Sequence, residues 1–267
     1  MSTVRYELRN TVGVIRLDRP ESRNALDTAT KDALRAAVER AASDQDARAV
    51  LLRAEGQGFC SGQDLKEHAE LLESAAAGSA SAETIWSTVP EHYIPIARGL
   101  ATMPKPVVAA VNGIAAGAGA ALAFAADFRV LAEDAGFAVA FSAIGLPCDT
   151  GTSWTLPRLV GWARATDLLM RPRTVHAEEA LRIGLATSVV PAADLTEQAT
   201  ALATELAAGP TIAYAGIKRA LAYSATHDLE DSLAFEGELM REAGGTADHQ
   251  DAVRAFAAKQ RPTFTGR

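Results

Sequence analysis

The chain has 267 residues, 48% of them hydrophobic and 22% charged, enough to bury a sizeable core as one large domain or two small ones. Thirty-three acidic against 26 basic side chains leave a net charge of −7, which argues against a general phosphate-backbone binder but allows a local basic patch for one small anionic ligand. Two cysteines, Cys60 and Cys148, exclude a disulfide framework and a cysteine-rich metal site. The charged start, Met1 to Arg9, lacks the apolar run of a secretory signal, so a cytoplasmic protein is expected.

Val12–Asp18 is β-branched and predicts a strand. The loop Arg19–Asp27 leads into Thr28–Ala42, where leucine, valine and alanine recur at helical spacing behind a cap at Asp27 or Thr28. Ala49–Ala54 predicts a buried strand and Gly56–Gly62 a glycine-rich loop, after which a helix begins near Asp64. Strands separated by helices predict an α/β fold with mostly parallel pairing. Glu67–Glu91 carries little pattern, and its middle, Ser74–Ser81, reads as a mobile loop or frayed helix. Ile94–Met103 predicts a helix that stops at Pro104-Lys105-Pro106.

Val107–Ala126 runs twenty residues without a charge, the length of a membrane span. Its asparagine, glycines and many alanines favour a soluble reading: a buried strand over Val107–Val111, a turn at Asn112-Gly113 and a tightly packed helix over Gly117–Ala126. Asp127–Ala132 predicts another strand, Gly151–Arg171 a helix, Ala177–Ile183 a short helix and Ala186–Val190 a strand. From Ala193 onward every periodic stretch is helical. The chain therefore divides into a core, 1–192, and a helical region, 193–267.

The usual chemical motifs are absent: no Walker A loop, no HExxH, no GxSxG. The histidines at 68, 92, 176, 227 and 249 show no metal-ligand spacing. Gly117-Ala118-Gly119 begins a near match to a dinucleotide fingerprint, but Leu122 stands where that pattern needs Gly or Ala. What remains is two glycine-rich strand-to-helix turns, Gly58–Asp64 and Asn112–Gly119. Small residues there expose main-chain N–H groups at helix starts, and two such turns converging on one point would bind an oxyanion.

These residues carry a resemblance. Arg19-Pro20 with Arg23-Asn24-Ala25-Leu26, the stretch Phe59–Lys66, Pro104–Gly113, Leu156–Gly161 and the closing Ala255-Phe256, Lys259 and Pro262-Thr263-Phe264 together resemble the crotonase (enoyl-CoA hydratase/isomerase) superfamily over nearly the whole chain. The resemblance implies a spiral of ββα turns followed by a C-terminal helical trimerisation layer, and a homotrimer or hexamer built as a dimer of trimers. It implies an acyl-CoA thioester substrate, with coenzyme A entering as part of that substrate rather than as a cofactor, and no metal. It places the oxyanion hole at the N–H groups of Gln63 and Ala118, and substrate or CoA contacts at Arg23, Asn24, Ala25, Ser61, Asp64, Leu65, Lys66, Gly117, Phe141, Phe256 and Lys259.

The family's hydratases flank a water with two glutamates, and the matching positions here are Ala121 and Phe141. Neither side chain moves a proton, so the two-carboxylate addition of water lacks both acid and base. One carboxylate stands nearby, Asp149, where hydratases have glycine. In this it resembles the 1,2-epoxyphenylacetyl-CoA isomerase branch and, less closely, the 4-chlorobenzoyl-CoA dehalogenase branch. The bland reading of Asp149 is a helix cap ahead of Gly151. The expectation is an isomerase with Asp149 as acid and base. The alternatives are a hydratase, a hydrolytic dehalogenase with Asp149 as nucleophile, and a non-catalytic acyl-CoA binder. His92 and Tyr93 fall where the family walls its acyl site; they read as surface or packing residues, with contact to an aromatic or acyl tail as the alternative. Cys60 and Cys148 read as packing. Lys31, Arg35 and Arg40 on the first helix alternate with Asp32 and Glu39, which with the net charge argues against nucleic acid.

Overall fold

The computed structural model describes residues 2–79 and 81–267. Two antiparallel strands open the chain, β1 (Val4–Arg9) and β2 (Val12–Leu17), paired from Val4↔Leu17 to Arg9↔Val12. β1 lies in the charged start of the chain, outside the predicted strands. Its signal is the alternation of Val4, Tyr6 and Leu8 with Arg5, Glu7 and Arg9. Helix α1 (Thr28–Ser43) is capped by Asp27, whose carboxylate accepts from Thr30 N. After β3 (Ala49–Ala54) come α2 (Leu65–Ala76), α3 (Ala82–Trp86), a π-helical turn over Val89–Tyr93 and α4 (Ile94–Ala101). The stretch Ser74–Ser81, read as a mobile loop or frayed helix, includes the end of α2, and Ala80 within it lies outside the described residues.

The uncharged run from Val107 resolves into β4 (Val107–Val111), β5 (Ile114–Ala116) and α5 (Ala118–Phe124). No helix among the described residues is long and apolar enough to cross a membrane. Next are β6 (Phe128–Ala132), β7 (Gly136–Ala138), α6 (Thr152–Val160), α7 (Trp162–Met170), β8 (Thr174–His176), α8 (Ala177–Arg182) and β9 (Ser188–Val190). The helix expected over Gly151–Arg171 is two helices, because Gly161 at φ 80°, ψ 159° breaks it. The chain ends in α9 (Leu195–Ala207), α10 (Thr211–Ser224), α11 (Leu229–Gly244) and α12 (Ala247–Ala257).

The main sheet has the order β1-β2-β3-β4-β6-β9 and is parallel apart from the β1/β2 pair. A small sheet, β5-β7-β8, forms beside it. β4 is buried at every position, which is why it reads as an unbroken apolar run rather than an alternating one. Each large aliphatic side chain so buried contributes roughly 1.5–3 kcal/mol. α9 packs on β3, β4 and β6 through Leu195, Ala199, Ala203 and Ala207. By packing it belongs with the sheet, so the core runs past residue 192, and α10 to α12 form the less buried remainder.

Candidate active site

The loops leaving β3 and β4 at their C-terminal ends meet. Leu26 N donates to Gly62 O at 2.8 Å, and Asp64 N donates to Leu26 O at 3.2 Å. Residues 62 and 64 are thereby pinned to Leu26, and alternation along an extended chain turns the N–H of Gln63 the opposite way. On that opposite side lies the turn from β5 into α5. Gly62, at φ +83°, abuts it so closely that a Cβ there would sit 2.8 Å from Ala116 O and 3.3 Å from Ala118 N. Only glycine fits this approach and this φ. Gly119 is equally confined, since a Cβ on it would fall 2.1 Å from Cys60 O.

Ala118 is the first residue of α5, and Gly117 before it has φ 50° and donates its own N–H to Ala138 O at 2.8 Å. Among the described residues, neither Gln63 N–H nor Ala118 N–H has a protein acceptor. Both residues line one cavity of about 290 Å³. Two residues with unpaired main-chain donors, one of them at a helix start, thus border a space walled by apolar side chains such as Phe141, Ile144 and Leu146.

Among the described residues, Asp149 is the only carboxylate on that wall. It is not a cap: α6 is preceded by Gly151 without a side-chain cap, and Thr152 N bonds to the main-chain O of Asp149 at 2.9 Å. Its Oδ1 accepts instead from Thr150 Oγ1 at 2.7 Å. Thr150 has φ 54°, a left-handed conformation uncommon for a β-branched residue and costing on the order of 1–3 kcal/mol. Burial holds the Asp149 carboxyl above the usual carboxylate range, opposed by the Thr150 hydrogen bond.

The remaining sequence-expected residues divide. Ser61, Leu65, Gly117 and Phe141 line the cavity with Gln63, Ala118 and Asp149. Arg23, Ala25, Asp64 and Lys66 line an adjoining groove of about 760 Å³, which shares Leu65 with the cavity. The Asp64 side chain is engaged with protein: it caps α2 through Lys66 N and Glu67 N and pairs with Arg19 at 2.7 Å, which holds its pKa below the usual range. Asn24, also expected at the substrate, lines neither the cavity nor the groove. Its side chain is 1% exposed and bonded to Arg19 N, Glu55 O and Gly58 O, so it ties two loops together. Phe256 and Lys259 are not brought to the cavity or the groove; Phe256 is 85% exposed on α12. Ala121 is fully buried and off the cavity wall, while Phe141 lies on it.

Two residues matter more than the sequence suggested. Tyr93 is buried, lines the cavity, and donates its hydroxyl to Gln63 Oε1 at 2.6 Å. Burial, and then the charge of Asp149, push its pKa up. Lys31 is 2% exposed and donates to Thr88 Oγ1 at 2.7 Å and to Gln63 Oε1 at 3.2 Å. A signal existed for Lys31: it falls in the same helical stripe as Leu34, Val38 and Ala41, all buried. His92 is a buried packing residue bonded toward Thr88 and Asp32 and is not on the cavity wall. Cys60 is buried against Asn24 O, and burial pushes its thiol up to about 12, as expected of a packing residue.

Comparison with known proteins now bears on this geometry. The family model described as Enoyl-CoA hydratase/isomerase matches residues 7–267. A Rhodobacter capsulatus protein named "Probable enoyl-CoA hydratase" is 43% identical over 99% of this chain and 98% of its own length. The 1,2-epoxyphenylacetyl-CoA isomerase of Escherichia coli is 38% identical over 96% of this chain and 95% of its own. A crystal structure from Mycobacterium abscessus superposes with a TM-score of 0.93 at 40% identity, covering 99% of this chain and 100% of that one.

Proposed function

Within the enoyl-CoA hydratase/isomerase family, to which this chain belongs, we propose that it is an acyl-CoA isomerase. The thioester carbonyl sits between the N–H groups of Gln63 and Ala118. Asp149 removes a proton from an acidic carbon conjugated with the thioester and returns it at another position. The enolate or dienolate between these steps gathers negative charge on the carbonyl oxygen, where two fixed donors stabilise it. One such donor is worth on the order of 10² to 10³ in rate, and general acid–base transfer roughly 10² to 10⁴. A raised carboxyl pKa suits a group that must both accept and return a proton near neutrality.

The observation that carries this reading is that Asp149 is, among the described residues, the single carboxylate on a cavity wall where Phe141 occupies one of the two positions for a hydratase glutamate, while the other position, Ala121, is fully buried off that wall. A hydratase is the second reading, favoured by the name of the Rhodobacter relative. Product analysis with crotonyl-CoA, a 3-enoyl-CoA and a halobenzoyl-CoA separates isomerisation from hydration and from hydrolytic dehalogenation. The Asp149→Asn protein is expected to lose isomerisation while still binding the CoA ester; full turnover would remove Asp149 from the mechanism.

The coenzyme A moiety is assigned to the groove of Arg23, Ala25 and Lys66. Exposed apolar side chains on the last helices, among them Ile217, Leu221, Leu229, Met240 and Phe256, support a homo-oligomer, trimer or dimer of trimers, in which Phe256 and Lys259 would serve a neighbouring site.

A further inference from the structure

We propose that Lys31 and Tyr93 are positioning residues that hold the Gln63 amide in register by gripping the Gln63 side chain. The proposal rests on the reading of Gln63 N–H as an oxyanion donor. Gln63 Oε1 receives both the Tyr93 hydroxyl, at 2.6 Å, and the Lys31 ammonium, at 3.2 Å. The ammonium also reaches Thr88 Oγ1 at 2.7 Å and lies 3.8 Å from the Glu67 carboxylate and 5.6 Å from the centroid of the Tyr93 ring. Two separate segments thus converge on one side-chain oxygen, α1 and the end of the π-helical turn, and Thr88, just before that turn, binds the same ammonium.

Lysine near a surface ordinarily runs its stem outward and leaves its charge in water. Here the whole side chain is buried, at a desolvation cost that lowers its pKa. Stability alone is better served by an apolar side chain in the same stripe as Leu34 and Val38. What the ammonium adds is direction: it fixes a carbonyl oxygen that water would otherwise leave free to turn. The main chain on either side of Gln63 is already held by Leu26. The 62–63 peptide is held by Leu26 only at its Gly62 O end, and gripping the Gln63 side chain ties the same peptide beside its N–H. A donor displaced by about 1 Å can lose about 100-fold in rate. The same clamp joins the donor to the π-helical turn, whose Val89 and Tyr93 wall the acyl cavity.

The test uses the full-length protein and benzoyl-CoA labelled with ¹³C at the carbonyl, a thioester with no proton on the carbon next to the carbonyl. Isotope-edited infrared spectra of the bound ester read polarisation of the carbonyl without turnover. The unmodified protein is expected to shift the carbonyl stretch to lower frequency. Lys31→Met and Tyr93→Phe are each expected to lose part of that shift, and to lower kcat for the isomerised substrate about 10- to 100-fold while KM changes little. Gln63→Ala retains the main-chain N–H but removes the grip, so Lys31→Met added to it is expected to cost nothing further. An unchanged shift in both single variants, or a fully additive loss in the double variant, overturns the proposal. Tyr93→Phe keeps the packed ring and carries the test should Lys31→Met fail to fold. No shift in the unmodified protein would instead overturn the oxyanion reading itself, a result distinct from a shift that the variants leave intact.

Discussion

Thr150 Oγ1 donates to Oδ1 of Asp149 at 2.7 Å from a residue whose backbone is left-handed, at φ 54°. The hydrogen bond favours the charged carboxylate, and burial favours the neutral acid more strongly, so the folded protein binds this proton above the usual carboxylate range. A base that must be deprotonated to act then gives a rate that rises with pH through that raised pKa. Thr150→Val removes the opposing hydrogen bond at nearly constant volume. Its rising limb in a kcat/KM against pH profile is expected to move to higher pH.

The same shift has a consequence for stability. The folded chain holds the Asp149 proton more tightly than the unfolded chain, so this group's contribution is fully present below the unfolded pKa and is lost as pH rises through the folded one. At neutral pH the ionised carboxylate is a net liability to the fold. Asp149→Asn is therefore expected to raise Tm at pH 7–8 while abolishing turnover, and to lose that advantage at pH 4. Thermal scans at the two pH values check it.

Asp64 works in the opposite direction. It caps α2, pairs with Arg19 and has a lowered pKa, with the Arg19 hydrogen bond as the largest cause. Its contribution is present above the unfolded pKa and lost as pH falls through the folded one. Asp64→Ala is expected to cost about 1–2 kcal/mol at neutral pH by loss of the cap, with a smaller cost in acid. Urea denaturation at pH 7 and pH 3.5 measures both.

Gly119→Ala would place a Cβ 2.1 Å from Cys60 O, a main-chain atom that cannot step aside. The two donor loops must separate to admit it. The expected result is a loss of about 1–3 kcal/mol or more in stability and a fall in kcat larger than any change in KM, read by denaturation and steady-state kinetics.

The adjoining groove offers Arg23 and Lys66 as cations without an ion pair among the described residues, whereas Arg19 is paired with Asp64 and Asp27. Arg23→Ala and Lys66→Ala are each expected to raise KM for a CoA ester about 3- to 10-fold at low salt, with the difference shrinking at high salt. A pantetheine thioester lacking the nucleotide should show no difference between the variants and the unmodified protein.

Local pattern was enough for much of this molecule. The unbroken apolar runs of β3 and β4 and the glycines between strand and helix made the α/β class and the two tight turns legible, because burial on both faces and close main-chain approach leave direct marks on residue type, while the spiral was implied by the family resemblance of the motifs around Phe59–Lys66 and Pro104–Gly113. The replacement of two carboxylates by Ala121 and Phe141, and the presence of Asp149, could likewise be read by position. The short strands β5, β7 and β8 could not, since three-residue segments have too little period to detect.

Side-chain destinations belonged to the tertiary structure. Asn24 matches a motif that suggested substrate, yet its amide binds main-chain groups from two loops. Lys31 looked like one of several charges on an exposed helix, and only the packing of α1 against the π-helical turn drives it inward to Gln63. Tyr93, just past the least patterned stretch, gained its place on the cavity wall in the same way. Periodicity records which face of an element is dry; which polar atom meets which across that face depends on contacts between residues dozens of positions apart, and no local spacing encodes them.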